Sequence, residues 1–163
     1  MKKVIQQTVY FSATPHQVFE ALMDEKEHAD FTESEATIDR KVGGKFSVWD
    51  GYAYGITKLL VVDKKIVQSW RASDWPENTE SEISIKLYFQ DNKTKLVFTQ
   101  TGVPEDFIKD IEKGWQDYYW QPLEKFLVNN EKGVLKAVRF GQRRDRRYRK
   151  EDILKLIGKK RYE

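Results

Sequence analysis

The stretch Gly43-Gly44-Lys45-Phe46-Ser47-Val48-Trp49-Asp50-Gly51-Tyr52 decides the fold of this 163-residue chain. It is answered downstream by Ser69-Trp70-Arg71 and Asp74-Trp75-Pro76. Glycines, aromatics and an Asp-Gly corner are spread through two alternating segments. A curved antiparallel sheet is written this way when its concave face must hold bulky side chains.

Working upstream, Ile5, Gln7, Val9 and Phe11 fall on one face of an alternating run from Lys3 to Phe11, which predicts an edge or half-buried strand. Thr14-Pro15-His16-Gln17 is a helix start, with Thr14 as cap, Pro15 at the first helical position and Gln17 placed for a capping box. Val18, Phe19, Ala21 and Leu22 supply the apolar face of that helix, and a further short helix is predicted over Glu25 to Asp30. Strands are then predicted at about Ala36–Arg40, Lys45–Asp50, Tyr52–Val62, Lys65–Ala72, Glu82–Gln90 and Lys95–Thr101. Asp63-Lys64 and Asp91-Asn92-Lys93 read as tight turns. Two alternating sets, Ile83, Ile85, Leu87, Phe89 and Leu96, Phe98, Gln100, are expected to face the interior.

Val103-Pro104-Glu105-Asp106 is predicted to open the longest helix, with its acids complementing the helix dipole. Phe107, Ile108, Ile111, Trp115, Tyr118, Tyr119, Leu123 and Phe126 recur at helical spacing. From Pro104 to Leu127 such a helix would span roughly 36 Å, and Pro122 should kink it or end a first segment. Two short helices, six or seven strands and a long helix make an α+β order, with the sheet wrapped around the last helix.

These segments taken together (the Thr-Pro helix cap, GGKFSVWDGY, IVQSW, DWPE, TGVPED and GWQDYYWQPL) resemble the activator of the ninety-kilodalton heat-shock protein ATPase, specifically its carboxy-terminal domain. More broadly they resemble the START-like, helix-grip superfamily, over about residues 3–128. The resemblance implies a helix-grip fold with a cavity between sheet and long helix, and a chaperone as one candidate partner.

The charge is uneven. Up to Val128 there are 16 Lys and Arg against 21 Asp and Glu; from Asn129 onward there are 13 against 5. Nineteen of the 22 aromatic residues also precede Asn129, so the first part can bury a core and the last 35 residues cannot do so alone. Two modules are expected, a helix-grip domain over 1–128 and a small basic extension over 129–163. The chain has no apolar run of membrane-spanning length and no apolar leader, so a cytoplasmic protein with no membrane partner is expected. Without cysteine, disulfides and thiolate metal sites are excluded.

Little in the chain suggests catalysis or a cofactor. His16 lies in the first turn of a helix and His28 in an acidic stretch, and both read as surface histidines. No metal-binding HExxH motif, phosphate-binding glycine loop or serine elbow is present, so a non-enzymatic protein without cofactors is expected. The strongest candidate is an aromatic cavity for an apolar or amphipathic small molecule. Phe46, Val48, Trp70, Ile85, Phe98, Trp115, Tyr118 and Tyr119 would line it, and Gln68, Gln100 and Asp50 would orient the ligand. The alternative for the same residues is plain core filling, since each large aromatic buries roughly 150–250 Å².

The extension resembles the end of an excisionase or MerR-like winged helix-turn-helix through EKGVLKAVR and RRYRKEDILKLIG. That resemblance implies that Arg139, Arg143, Arg144, Arg146 and Arg147 face phosphate. The two helices of a helix-turn-helix have no counterpart, so any nucleic-acid binding is expected to be weak and indifferent to sequence. The other readings of these arginines are a basic strap docked on an acidic face of this or a neighbouring subunit, a mobile tail, and a remnant without function.

Overall fold

A computed structural model describes residues 3–129, and the expectations placed on the extension, including its five arginines, lie outside them. Seven antiparallel strands form one sheet: β1 (Ile5–Phe11), β2 (Thr37–Ile38), β3 (Lys45–Val48), β4 (Ala53–Val61), β5 (Lys65–Ala72), β6 (Ser81–Gln90) and β7 (Lys93–Thr101). Their spatial order is β1-β7-β6-β5-β4-β3-β2. Two helices, α1 (Pro15–Met23) and α2 (Glu25–Thr32), connect the strands at the opposite edges of the sheet.

The predicted helix start forms as written. Thr14 Oγ1 accepts from the Gln17 N–H at 3.2 Å, Gln17 Oε1 accepts from the Thr14 N–H at 2.8 Å, and Pro15 occupies the first turn. The loop between β6 and β7 is tighter than predicted. Asp91 and Asn92 both take positive φ (53° and 60°) between the paired Gln90 and Lys93, a two-residue turn whose twist suits a hairpin.

The β4–β5 ladder shifts register between Thr57 and Leu59. There the Ser69 hydroxyl replaces backbone pairing, accepting from the Ile56 N–H at 2.9 Å. Gly55 makes this close approach possible: a Cβ built on it would stand 1.9 Å from the Ser69 carbonyl oxygen.

The C-terminal helix begins later than predicted. A 3₁₀ turn over Glu105–Phe107 precedes α3 (Ile108–Trp115), because Pro104 has an extended ψ of 136° and does not start an α turn. A π turn follows over Gln116–Trp120, closed by the Gln121 N–H on the Gln116 carbonyl, and helix resumes over 121–129. Pro122 supplies no N–H for the preceding turn, and the wider turn absorbs the missing bond. The wide turn also brings residues five apart onto one face, so that Trp115 and Trp120 stack at 5.4 Å with planes 21° apart.

This helical rod lies across the sheet. Trp115 meets Phe98 of β7 (4.4 Å between ring centroids) and Trp70 of β5 (5.7 Å). Gln7 of β1 donates to the Glu112 carbonyl at 2.8 Å and accepts from Trp120 Nε1 at 2.7 Å. The interior sets of β6 and β7 face the core as expected, except Phe89, which is 58 % exposed. It sits one residue from the β6–β7 turn, at the tip of the hairpin. Among the described residues, no helix is long and apolar enough to cross a membrane.

One of the two histidines is not at the surface. His28 is buried; its Nδ1 donates to the Leu22 carbonyl at 3.0 Å, and its ring packs on Phe31 (4.9 Å) and Tyr119 (5.5 Å). The acidic stretch around His28 is not all solvated either, since Glu27 is buried, and so is Glu20 on α1. Glu20 is held by two bonds from the Arg40 guanidinium, whose Nη1 lies 2.7 Å from Oε2.

Candidate functional site

The space between sheet and helix divides in two. Its centre is nearly filled: a void of about 30 Å³, bordered by Phe46, Val48, Gln68 and Ile85 together with His28, has room for about two waters and not for a ligand. At the end of the sheet where the β3–β4 turn meets α3, a cavity of about 410 Å³ opens, within the size range of small-molecule sites. Trp70, Trp115 and Tyr119 border both spaces, and Tyr118 borders only the larger one.

Three predicted cavity residues, Phe98, Gln100 and Asp50, line neither space. Phe98 is fully buried between Trp115 and Trp120, with ring centroids at 4.4 and 5.4 Å. Gln100 is fully buried and already satisfied, accepting from Trp115 Nε1 at 2.8 Å and donating to Ser81 Oγ at 2.9 Å. Gln68 likewise donates to Thr57 Oγ1 at 3.1 Å, so its amide serves the core. Asp50, expected to orient a ligand, instead accepts from the Glu35 N–H at 2.7 Å and braces the β3–β4 turn.

That turn places the first wall. Trp49, Asp50 and Gly51 have consecutive positive φ values of 56°, 55° and 89°. A left-handed conformation costs a non-glycine residue roughly 1–2 kcal/mol, and here it carries the Trp49 ring over the helix. Trp49 meets Tyr118 and Tyr119 edge to face, at 5.6 and 5.7 Å between centroids. Tyr52 follows on the same turn and is tied to the next loop by the Ser73 N–H on its carbonyl at 2.7 Å.

The second wall comes from the 3₁₀ turn and α3. Phe107, Ile111 and Gly114 face the cavity one turn apart, and the absence of a side chain at Gly114 keeps it open. The mouth is acidic: Asp74 and Asp110 line the cavity and are both exposed. Burial raises the Tyr52 hydroxyl pKa, and the Asp74 carboxylate, to which it is hydrogen-bonded, and Asp110 raise it further. Tyr52 therefore remains protonated and donates to Asp74. Burial pushes the Tyr119 phenol up as well, against the opposing hydrogen bond from Trp49.

Arg71 fixes the loop that carries Asp74. Its Nη2 donates to the Trp75 carbonyl at 2.8 Å, its Nη1 to the Pro76 carbonyl at 2.7 Å and the Thr79 carbonyl at 2.8 Å, and its Nε to the Tyr54 hydroxyl at 3.0 Å. Sequence reasoning singled out the Trp49–Tyr52 and Asp74–Trp75 runs for their turn chemistry but did not bring Trp49, Tyr52, Asp74 or Asp110 to the cavity. The usable signal was an aromatic beside an acid or glycine at each strand end. Among the described residues, no group of three or more His, Cys, Asp and Glu is placed to hold a metal ion.

An antiparallel sheet gripping a C-terminal helix, with an aromatic cleft at one end, defines a START-like helix-grip protein. The chain belongs to the family described as Activator of Hsp90 ATPase homolog 1-like protein, whose model matches residues 12–127. It is 33 % identical over 108 residues to an activator of 90 kDa heat shock protein ATPase homolog from Dictyostelium discoideum, covering 65 % of this chain and 28 % of that protein. It is 29 % identical over 115 residues to the human activator of 90 kDa heat shock protein ATPase homolog 1, covering 71 % and 34 %. The chain thus spans about a third of the length of the curated relatives it matches. The crystal structure of an HSP90 activator from Plasmodium falciparum superposes with a TM-score of 0.72 at 26 % identity, covering 77 % of this chain and 96 % of that one.

Proposed function

We propose that this is a non-enzymatic binding protein that holds an apolar or amphipathic small molecule in the cleft between the β3–β4 turn and α3. The cavity of about 410 Å³ carries this reading, because its walls are aromatic rings at the end of a core that is otherwise closely filled. A packed core alone does not require Trp49 to hold a left-handed backbone, or Gly114 to interrupt a helix with an open face. Native mass spectrometry of the purified protein tests the reading. A retained small molecule is expected, and Gly114→Leu should release it without unfolding the chain. Retention unchanged in Gly114→Leu would move the ligand elsewhere.

A second reading, modulation of a chaperone ATPase, is favoured by the names of the curated relatives. Stimulation of a purified ninety-kilodalton heat-shock chaperone by this chain tests it. A basal rate left unchanged by excess protein would end it.

A further inference from the structure

We infer that the cavity selects organic cations, taking an alkylated ammonium group against its aromatic faces and near the carboxylates of Asp74 and Asp110, with an aromatic or aliphatic body reaching inward. The inference rests on the cavity being a ligand site, and adds the charge of the ligand.

Three independent features point the same way. Of the cavity's lining residues, two are carboxylic acids and none is Lys, Arg or His. Arg71, on the strand beneath the Asp74 loop, spends its guanidinium on the carbonyls of Trp75, Pro76 and Thr79 rather than on Asp74. The carboxylates at the mouth are therefore not neutralised from within the lining. An anionic ligand would meet repulsion there, with no basic side chain in the lining to offset it.

The walls are suited to the same charge. The face of an aromatic ring is the negative end of its quadrupole, and a cation over it gains about 0.5–2 kcal/mol depending on desolvation. Trp49 touches Tyr118 and Tyr119 edge to face, and Trp115 tilts against Tyr119 at 4.4 Å, so these rings enclose one space from several directions. Tyr52 adds a third element: its hydroxyl is hydrogen-bonded to Asp74, and all three residues line the same cavity. At longer range, the 16 Lys and Arg against 21 Asp and Glu before Asn129 leave the helix-grip part acidic, which steers cations toward it.

Calorimetric titration with three phenols of nearly equal shape tests the inference: 3-hydroxyphenyltrimethylammonium, neutral 3-tert-butylphenol and 3-hydroxybenzenesulfonate. The cation should bind about tenfold more tightly than the neutral compound, as a desolvated cation–π contact implies. The sulfonate should bind most weakly. Asp74→Asn and Asp110→Asn, both at exposed positions, should each narrow the ratio of cation to 3-tert-butylphenol affinity, and a ratio that neither changes would overturn the part given to the carboxylates. Equal or tighter binding of 3-tert-butylphenol in the unaltered protein would overturn the cation inference and leave the small-molecule reading standing. Failure of the cation and the neutral phenol alike would overturn both.

Discussion

Trp115 Nε1 donates to Gln100 Oε1 at 2.8 Å, joining the middle of the helical rod to the floor of the sheet through a bond in which both side chains are buried. The glutamine amide continues to Ser81 Oγ at 2.9 Å, and that hydroxyl donates to the Trp70 carbonyl at 2.6 Å. Helix, β7, β6 and β5 are thus linked by one chain of satisfied polar groups. Gln100→Leu leaves the indole N–H unpaired in the core and should cost about 1–3 kcal/mol. Trp115→Phe loses ring packing in either background but should cost less in the Gln100→Leu background than in the unaltered protein, because the bond is already gone. A double-mutant cycle by urea unfolding measures the coupling, and additive losses would show that the bond contributes nothing.

Arg71 should act on binding through the loop it holds. Arg71→Lys cannot reproduce a fork that reaches the carbonyls of Trp75, Pro76 and Thr79 together. Amide exchange across residues 73–80 should accelerate, and affinity for 3-tert-butylphenol should fall several-fold, with a stability loss of about 1–2 kcal/mol. Unchanged exchange in that loop would show that the arginine does not organise it.

Glu27 and His28 make opposite contributions to pH dependence. Burial, with Asp24 and Glu20 nearby, raises the Glu27 carboxyl from 4.5 to about 8, so the folded state holds a proton there that the unfolded state has released. Burial lowers His28 from 6.5 to about 4, so between those values the unfolded state holds the extra proton. From about pH 4.5 to 6.5 the two cancel. From about 6.5 to 8 only Glu27 differs, and stability should fall by roughly 1.4 kcal/mol per pH unit. Glu27→Gln should abolish that fall and expose the His28 contribution, a loss as pH drops from 6.5 toward 4. Thermal melts at half-unit steps check both arms, and a Glu27→Gln profile parallel to the unaltered protein would refute the assignment.

The elements with strong local chemistry were legible in the sequence: the Thr14–Gln17 capping box, the Asp91-Asn92 turn and the alternation in β6 and β7. What escaped depends on how elements meet. The α2 sequence, Glu-Lys-Glu-His-Ala-Asp-Phe-Thr, is polar enough to read as surface, and only its packing on Tyr119 buries His28. The π turn has no propensity signature beyond Pro122, yet it sets which of three consecutive aromatics faces inward: Tyr119 and Trp120 do, whereas Tyr118 stays 60 % exposed at the lip of the cavity. The cavity was expected between sheet and long helix; Trp115, Tyr119 and Phe98 fill the middle of that space, and the cavity lies at its end, where the side chains give way to a turn and a glycine.

A chain ending at Asn129 should fold. Among the described residues a buried apolar core already runs from Ile5 to Leu127, and residues 130–163 are too short and too charged to be needed to bury it. Its melting temperature should match that of the full chain to within about 2 °C. A larger drop would show that residues 130–163 dock on the helix-grip domain as a strap.

Gly114 offers the sharpest separation of stability from binding. A glycine inside a helix costs about 1 kcal/mol relative to alanine, yet α3 carries one at its penultimate position, on the cavity wall. A Cβ placed there would meet only the Tyr118 Cδ2 atom, at 3.8 Å, an ordinary contact. Packing therefore does not demand glycine, and Gly114→Ala should raise the melting temperature by roughly 2–6 °C. A longer side chain grows into the cavity. Gly114→Leu should remain folded at or above the unaltered melting temperature while losing affinity for 3-tert-butylphenol at least tenfold, the cost of excluding a ring worth about 1.4 kcal/mol or more of buried apolar contact. A stabilised Gly114→Leu that binds normally would place the ligand outside this cleft, and a destabilised one would show that the cleft closes in solution.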